Sequence, residues 1–211
     1  MREMIKVALP KGRLYPMAAA AFARVSLGCP ELLNPMRKLT YTDAEGGMEY
    51  LFVKPGDVPA YVEYGAADMG VTGKDTLLEE GRDLSEAMDM GFGRCRVVVA
   101  GLCGQKGRYD GIYGKRIATK YPNIAKRFFE SVKGESVEVI RLSGSIELAP
   151  LAGLADAVID LVDTGETLRE NGMEVYETVA AVSARLVVNG VSMKMKGRRV
   201  KEIIARLGGG Q

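Results

Sequence analysis

The segment that most narrows the folds open to this chain is Ala157–Leu161, an apolar run interrupted by one acid, Asp160. After Val162 comes the polar turn Asp163-Thr164-Gly165-Glu166-Thr167, and a helix pattern opens at Leu168. The apolar run reads as a buried strand. Backbone N–H groups at a strand-to-helix turn have no helical partners, so they point at whatever sits above the turn. The two threonine hydroxyls make this turn a seat for a phosphate. Carboxylates close by extend it to ribose hydroxyls or a metal-bound pyrophosphate. The combination suits a phosphorylated sugar better than a bare anion. A Thr-Gly step before a helix is also ordinary capping chemistry, so the turn takes its meaning from its surroundings.

Strand and helix patterns alternate along the rest of the chain. Residues 5–9, 39–42, 50–53, 67–71, 96–101, 116–119, 137–142, 175–182 and 186–188 read as strands. Residues 14–25, 58–64, 76–80, 123–132 and 146–151 and the C-terminal segment read as helices, with Asp57 as the cap of the second and Pro59 in its first turn. This alternation argues for an α/β fold with mostly parallel sheets. One internal echo adds to it. Gly65-Ala66-Ala67-Asp68, an apolar strand, Thr72-Gly73 and a helix parallel Gly153-Leu154-Ala155-Asp156, an apolar strand, Thr164-Gly165 and a helix. Two similar lobes, each offering a strand-to-helix turn, would hold two phosphorylated ligands.

Composition excludes more than it selects. The chain of 211 residues contains no histidine, which removes Ser-His-Asp and Cys-His hydrolases and every His-ligated metal site. Cys29, Cys95 and Cys103 form no CxxC pair, so neither a disulfide framework nor a zinc site is expected and a reducing cytoplasm fits. A net charge of +2 gives no electrostatic case for nucleic acid. The basic residues Lys194, Lys196, Arg198, Arg199 and Lys201 precede Ile203, Ile204 and Leu207, the pattern of a terminal amphipathic helix with a solvated face. No apolar run approaches membrane-spanning length, and the N-terminus shows no signal-peptide core.

Several residues could carry chemistry. Lys11-Gly12-Arg13 ends the first strand; Gly12 lets backbone approach a ligand, and its neighbours supply charge for phosphates. Lys54 sits at a strand end before the Asp57-capped helix, as a surface lysine or a cation for a leaving anion. Arg37 is a similar candidate, directed at a nucleotide. Asp68 ends a turn before a strand, where capping is the plain alternative. Glu147 offers a carboxylate to a substrate or to the water shell of a magnesium ion. Asp160 is costly inside an apolar strand unless it is paired, which favours a role toward ribose hydroxyls.

The spacing of Glu147, Gly153, Ala155, Val158, Asp160-Leu161, Thr164-Gly165 and Thr167-Leu168 resembles the signature of the ATP phosphoribosyltransferase family, with every specified position filled. The resemblance extends from Lys11-Gly12-Arg13 to the C-terminal helix. It implies a two-lobed, periplasmic-binding-protein-like (type II) fold with a central sheet in each lobe and a cleft between them. Lobe I would comprise residues 1–92 and 177–211 and take ATP; lobe II would comprise residues 93–176 and carry the phosphoribosyl pyrophosphate loop. By the same resemblance Asp160, Thr164, Gly165, Glu166, Thr167 and Leu168 would bind phosphoribosyl pyrophosphate. Lys11, Gly12, Arg13, Asp68 and Gly73 would bind ATP, and Lys54, Arg37 and Glu147 would serve catalysis. The implied reaction joins the 5-phosphoribosyl group to N1 of ATP, with magnesium carried on the substrate's pyrophosphate groups and no metal site built by the protein. The absence of a C-terminal regulatory domain implies the short form: a homodimer assembling with a regulatory subunit resembling histidyl-tRNA synthetase, in the cytoplasm. The rival readings are a two-lobed small-ligand binding protein without catalysis and a phosphoribosyltransferase acting on another base.

Overall fold

The computed structural model describes residues 3–33 and 38–209. They form two compact units, Met1–Gly93 with Ser183–Gln211, and Arg94–Val182.

The first unit opens with β1 (Ile5–Pro10), α1 (Leu14–Arg24), α2 (Pro30–Leu33), β2 (Thr40–Asp43) and β3 (Met48–Val53). A 3₁₀ turn at Pro55–Asp57 leads into α3 (Val58–Glu63), followed by β4 (Met69–Gly73), α4 (Lys74–Glu80) and β5 (Ser85–Asp89). The second unit holds β6 (Cys95–Leu102), α5 (Lys106–Asp110), β7 (Lys115–Thr119) and α6 (Pro122–Lys126), which continues as a π-helix over Arg127–Lys133. Then come β8 (Val137–Arg141), α7 (Leu148–Leu151), β9 (Ala157–Val162), α8 (Glu166–Glu170) and β10 (Met173–Val182). The chain returns to the first unit with β11 (Ala184–Val188), α9 (Gly190–Met195) and α10 (Gly197–Gly208).

The strand orders are β2-β3-β1-β4-β11-β5 and β10-β6-β9-β7-β8. In each sheet the first strand of a parallel trio, β1 or β7, pairs with the second and third, β3 and β4 or β8 and β9. The strand that crosses from the other unit, β11 or β6, then pairs antiparallel with the third. The sheets are therefore mixed, not mostly parallel as the alternation suggests. The crossing strand runs opposite to its neighbours because it enters from the other unit rather than through a helical crossover.

In the first unit Ile5, Val7 and Leu9 face Ala18 and Phe22 of α1 and Val200, Ile203 and Leu207 of α10. On the other face Ala8 meets Val58 and Val62 of α3 and Val187 of β11. The stripe at 200, 203 and 207 confirms the amphipathic terminal helix, although Arg199 on it is buried and donates to the Gly46 carbonyl. Asp57 precedes α3 but its side chain makes no capping bond, because the 3₁₀ turn already continues into the helix.

Both crossings between the units fall later in the chain than expected. The first crossing follows Gly93, one residue beyond the expected position. The second lies at Val182–Ser183 rather than near Glu177, because β10 stays paired with β6 as far as Val182 opposite Cys95.

The Gly-x-Ala-Asp half of the internal echo is repeated in backbone geometry, whereas the Thr-Gly half is not: Gly73 is extended at φ −73° and Gly165 left-handed at φ 79°. Gly65 and Gly153 both adopt left-handed backbone, φ 72° and 70°, a region that favours glycine. Three residues later Asp68 N–H donates to the Lys6 carbonyl, and Asp68 Oδ2 accepts from Lys6 N–H at 2.8 Å. Asp156 does the same with Arg116. Each aspartate thus closes a reciprocal pair that fixes the third strand against the first at its amino-terminal edge.

Candidate active site

Parallel pairing places the carboxyl ends of β7, β8 and β9 on one edge of the second sheet. Ligands of open α/β sheets bind at such edges. Four features meet there. The turn after β9 carries Thr164 and Gly165, and Gly165, at φ 79°, gives the left-handed turn that starts α8. Arg169 donates to the Thr164 carbonyl at 3.1 Å and holds the turn closed. Thr164, Glu166 and Thr167 are exposed above it. Leu168 is instead buried among Val98, Val158, Val162 and Met173. The side chain anchors the turn from beneath, so a contact of Leu168 with a ligand would run through its backbone.

Asp160 lies on the same face of β9 as Val158 and Val162, and across the ladder it is opposite Val98. Its side chain is 17% exposed. Burial, more than the nearby charge of Glu147, pushes its carboxyl above the usual range. Glu147 precedes α7 at the end of the loop that follows β8. That loop contains Ser145 in left-handed backbone, φ 47°, a conformation costly for any residue but glycine. Lys120, the residue after β7, completes the group with Nζ 3.4 Å from Asp160 Oδ1. The antiparallel β6 brings the exposed Arg96 to the same edge, opposite Val162. Neither Lys120 nor Arg96 stands out in the sequence. Each becomes visible only through strand register.

The first unit has the equivalent edge. Lys11-Gly12-Arg13 follows β1, Lys54 follows β3 and Gly73 ends β4, all at the carboxyl ends of parallel strands. Lys11 N–H donates to the Val53 carbonyl at 2.9 Å, which joins the first two turns. Gly12, at φ 88°, has open space where a side chain would stand. Lys11, Gly12, Arg13 and Lys54 are exposed.

Asp68 is not part of this edge. It lies at the amino end of β4, about 16 Å from Gly73 at ~3.3 Å per residue. It is 5% exposed, and it accepts from Ser192 Oγ at 2.6 Å and Lys196 Nζ at 2.9 Å besides Lys6 N–H. Burial alone would raise its carboxyl, but these hydrogen bonds and the lysine charge hold it below the usual value. The expected ATP contact is therefore corrected to a structural clamp. Arg37 lies outside the described residues.

Comparison with known proteins identifies the family. A profile of the HisG family, described as ATP phosphoribosyltransferase, matches residues 54–209. The ATP phosphoribosyltransferase of Ruminiclostridium cellulolyticum is 50% identical over 200 residues, covering 95% of this chain and 94% of the relative. That of Caldanaerobacter subterraneus subsp. tengcongensis is 48% identical, covering 97% and 96%. Among solved structures, a chain of the ATP phosphoribosyl transferase (HisG:HisZ) complex from Thermotoga maritima superposes with a TM-score of 0.83 at 34% identity, covering 97% of both chains.

Proposed function

The chain belongs to the ATP phosphoribosyltransferase family, and from that premise we propose how its residues divide the work. The enzyme transfers the 5-phosphoribosyl group from phosphoribosyl pyrophosphate to N1 of ATP, releasing pyrophosphate, in the first step of histidine biosynthesis. The observation that carries the division is the meeting of a buried carboxylate, Asp160, with the open Thr164–Thr167 turn at one sheet edge.

In this reading the turn takes the 5-phosphate through the hydroxyls of Thr164 and Thr167 and the amides of Gly165 and Glu166. Asp160 accepts from the ribose hydroxyls, and Glu147 orients the sugar from the next loop. Lys11, Gly12, Arg13 and Gly73 receive the phosphates of ATP. Lys54 stabilises negative charge on the departing pyrophosphate as a point charge, without the bidentate fork of an arginine. N1 of adenine is unprotonated near neutral pH, so attack on C1 of the ribose needs no general base, and a chain without histidine can perform it. The C1–pyrophosphate bond breaks as the N1–C1 bond forms, through an oxocarbenium-like state. Catalysis is then positioning and electrostatic stabilisation.

Magnesium would be carried on the pyrophosphate oxygens of the substrate. Bound there, magnesium neutralises charge on the pyrophosphate. The strand order shared by the two sheets supports the periplasmic-binding-protein-like type II class. Among the described residues no helix is long and apolar enough to cross a membrane, and we place the enzyme in the cytoplasm. The Thermotoga maritima relative is a complex with HisZ. We propose that this chain forms a homodimer and likewise assembles with a second subunit, a regulatory one resembling histidyl-tRNA synthetase.

The test supplies ATP, phosphoribosyl pyrophosphate and magnesium to the chain, with and without that partner, and follows products by mass spectrometry. Equimolar phosphoribosyl-ATP and pyrophosphate are expected, more rapidly with the partner and not with adenine in place of ATP. Ligand retention without product in both preparations contradicts the reading. Full turnover and strong histidine inhibition in the chain alone would remove the partner from it.

A further inference from the structure

Asp160 stands where a carboxylate is difficult to keep charged. Its neighbours on the same face are Val158 and Val162, and Val98 lies across the ladder. Its Oδ1 is buried and makes no hydrogen bond among the described residues. Glu147 adds a second negative charge nearby. Two groups oppose these effects: Lys120 and the backbone at Leu161. Lys120 is the one cation within ion-pair distance of Asp160 among the described residues.

Its position is built by the backbone. Thr119 pairs with Ile159 in the parallel ladder, so the residue that follows β7 lies beside Asp160. Thr119 Oγ1 donates to the Ile159 carbonyl at 2.7 Å and accepts from Tyr121 N–H at 2.9 Å, fixing the chain on both sides of Lys120. The Tyr121 ring centroid lies 5.1 Å from Lys120 Nζ, a cation–π distance. At 3.4 Å the ammonium attracts Asp160 Oδ1 without filling it with a full hydrogen bond. The ammonium thus neutralises the enclosed oxygen from one side and fixes the plane of the carboxylate.

We propose that Lys120 is the positioning residue of the phosphoribosyl site, holding the enclosed Oδ1 of Asp160 so that the carboxylate stays ionised and its other oxygen accepts from a ribose hydroxyl. The proposal rests on the assignment of Asp160 to the ribose. A protonated Asp160 would carry a donor where the sugar also presents donors.

A double-mutant cycle tests it, using the full chain with the partner subunit present. Wild type, Lys120→Met, Asp160→Asn and the double variant are compared by kcat/KM, with phosphoribosyl pyrophosphate varied across pH. Near neutral pH, Lys120→Met is expected to lower kcat/KM about tenfold and to move its acid limb to higher pH, because the carboxyl loses its cation. In the Asp160→Asn background the same substitution should change kcat/KM by less than about twofold, and Lys120→Arg should restore most of the single-variant loss. An equal loss in both backgrounds with an unmoved acid limb overturns the proposal. Asp160→Asn at the wild-type level overturns the ribose assignment beneath it, a distinguishable result. The Lys120 side chain is 43% exposed, so the variants should fold. If Lys120→Met lowers the unfolding midpoint, Lys120→Gln replaces it in the cycle, with the same outcomes deciding.

Discussion

Asp160→Asn is expected to lower kcat/KM for phosphoribosyl pyrophosphate about 100-fold while leaving the folded chain at least as stable as before. The loss follows from exchanging a charged carboxylate, which only accepts, for a neutral amide with one acceptor and one donor, at a hydrogen bond to a ribose hydroxyl worth about 1.5–3 kcal/mol when the partner is charged. The stability side follows from the sign of the perturbation. Burial raises the Asp160 carboxyl above its unfolded value. A group raised in this way favours the fold when protonated, at pH below the unfolded value, and loses that contribution as pH rises through the folded value. At neutral pH the ionised carboxylate therefore works against the fold, and asparagine, of the same shape, removes the charge. Steady-state kinetics and urea denaturation of the same preparation test both halves. A residue placed for packing would show the reverse: stability lost with activity per folded molecule preserved.

Asp68→Ala is expected to give that reverse pattern, with a loss of about 3 kcal/mol in stability by urea denaturation. It leaves Lys6 N–H and Ser192 Oγ without their acceptor and removes the carboxylate partner of Lys196, which keeps only its bond to the Met4 carbonyl. The contribution also has a defined pH window. The folded carboxyl is held below its unfolded value, so its stabilisation is complete above about pH 4 and fades as pH falls through the folded value. The difference between wild type and variant should shrink over that range. A raised KM for ATP with unchanged stability would return Asp68 to the nucleotide site.

The contrast between these two aspartates shows what a linear sequence can hold. Asp160 is legible because a charge inside an apolar run is a local anomaly, and Thr164-Gly165 is legible because the turn and its ligand-facing amides are local too. The partners of Asp68 are not local: Ser192 and Lys196 lie 124 and 128 residues away. The Gly-Ala-Ala-Asp spelling does not say whether its aspartate clamps strands or meets a ligand, and only the folded partners decide. Lys120 is hidden for the same reason, since it reaches Asp160 through a parallel register between β7 and β9. Leu168 belongs to a signature yet serves the core, because the residue after a polar turn faces inward on a short helix. The second unit boundary was obscured by composition. β10 is an edge strand with register shifts on both sides of Glu177 and Thr178, so its polar residues resemble a linker while the backbone stays paired. β5, Ser-Glu-Ala-Met-Asp, was silent as an edge strand lacking an apolar run.

Hydrogen exchange of the chain with and without magnesium phosphoribosyl pyrophosphate tests most directly whether the phosphoribosyl group is held at the exit of β7, β8 and β9. Protection is expected in peptides covering residues 119–121, 143–148 and 160–168. Protection confined to the turns at 10–14 and 54–57, with the 160–168 peptide unchanged, would contradict it and move the sugar phosphate to the other sheet.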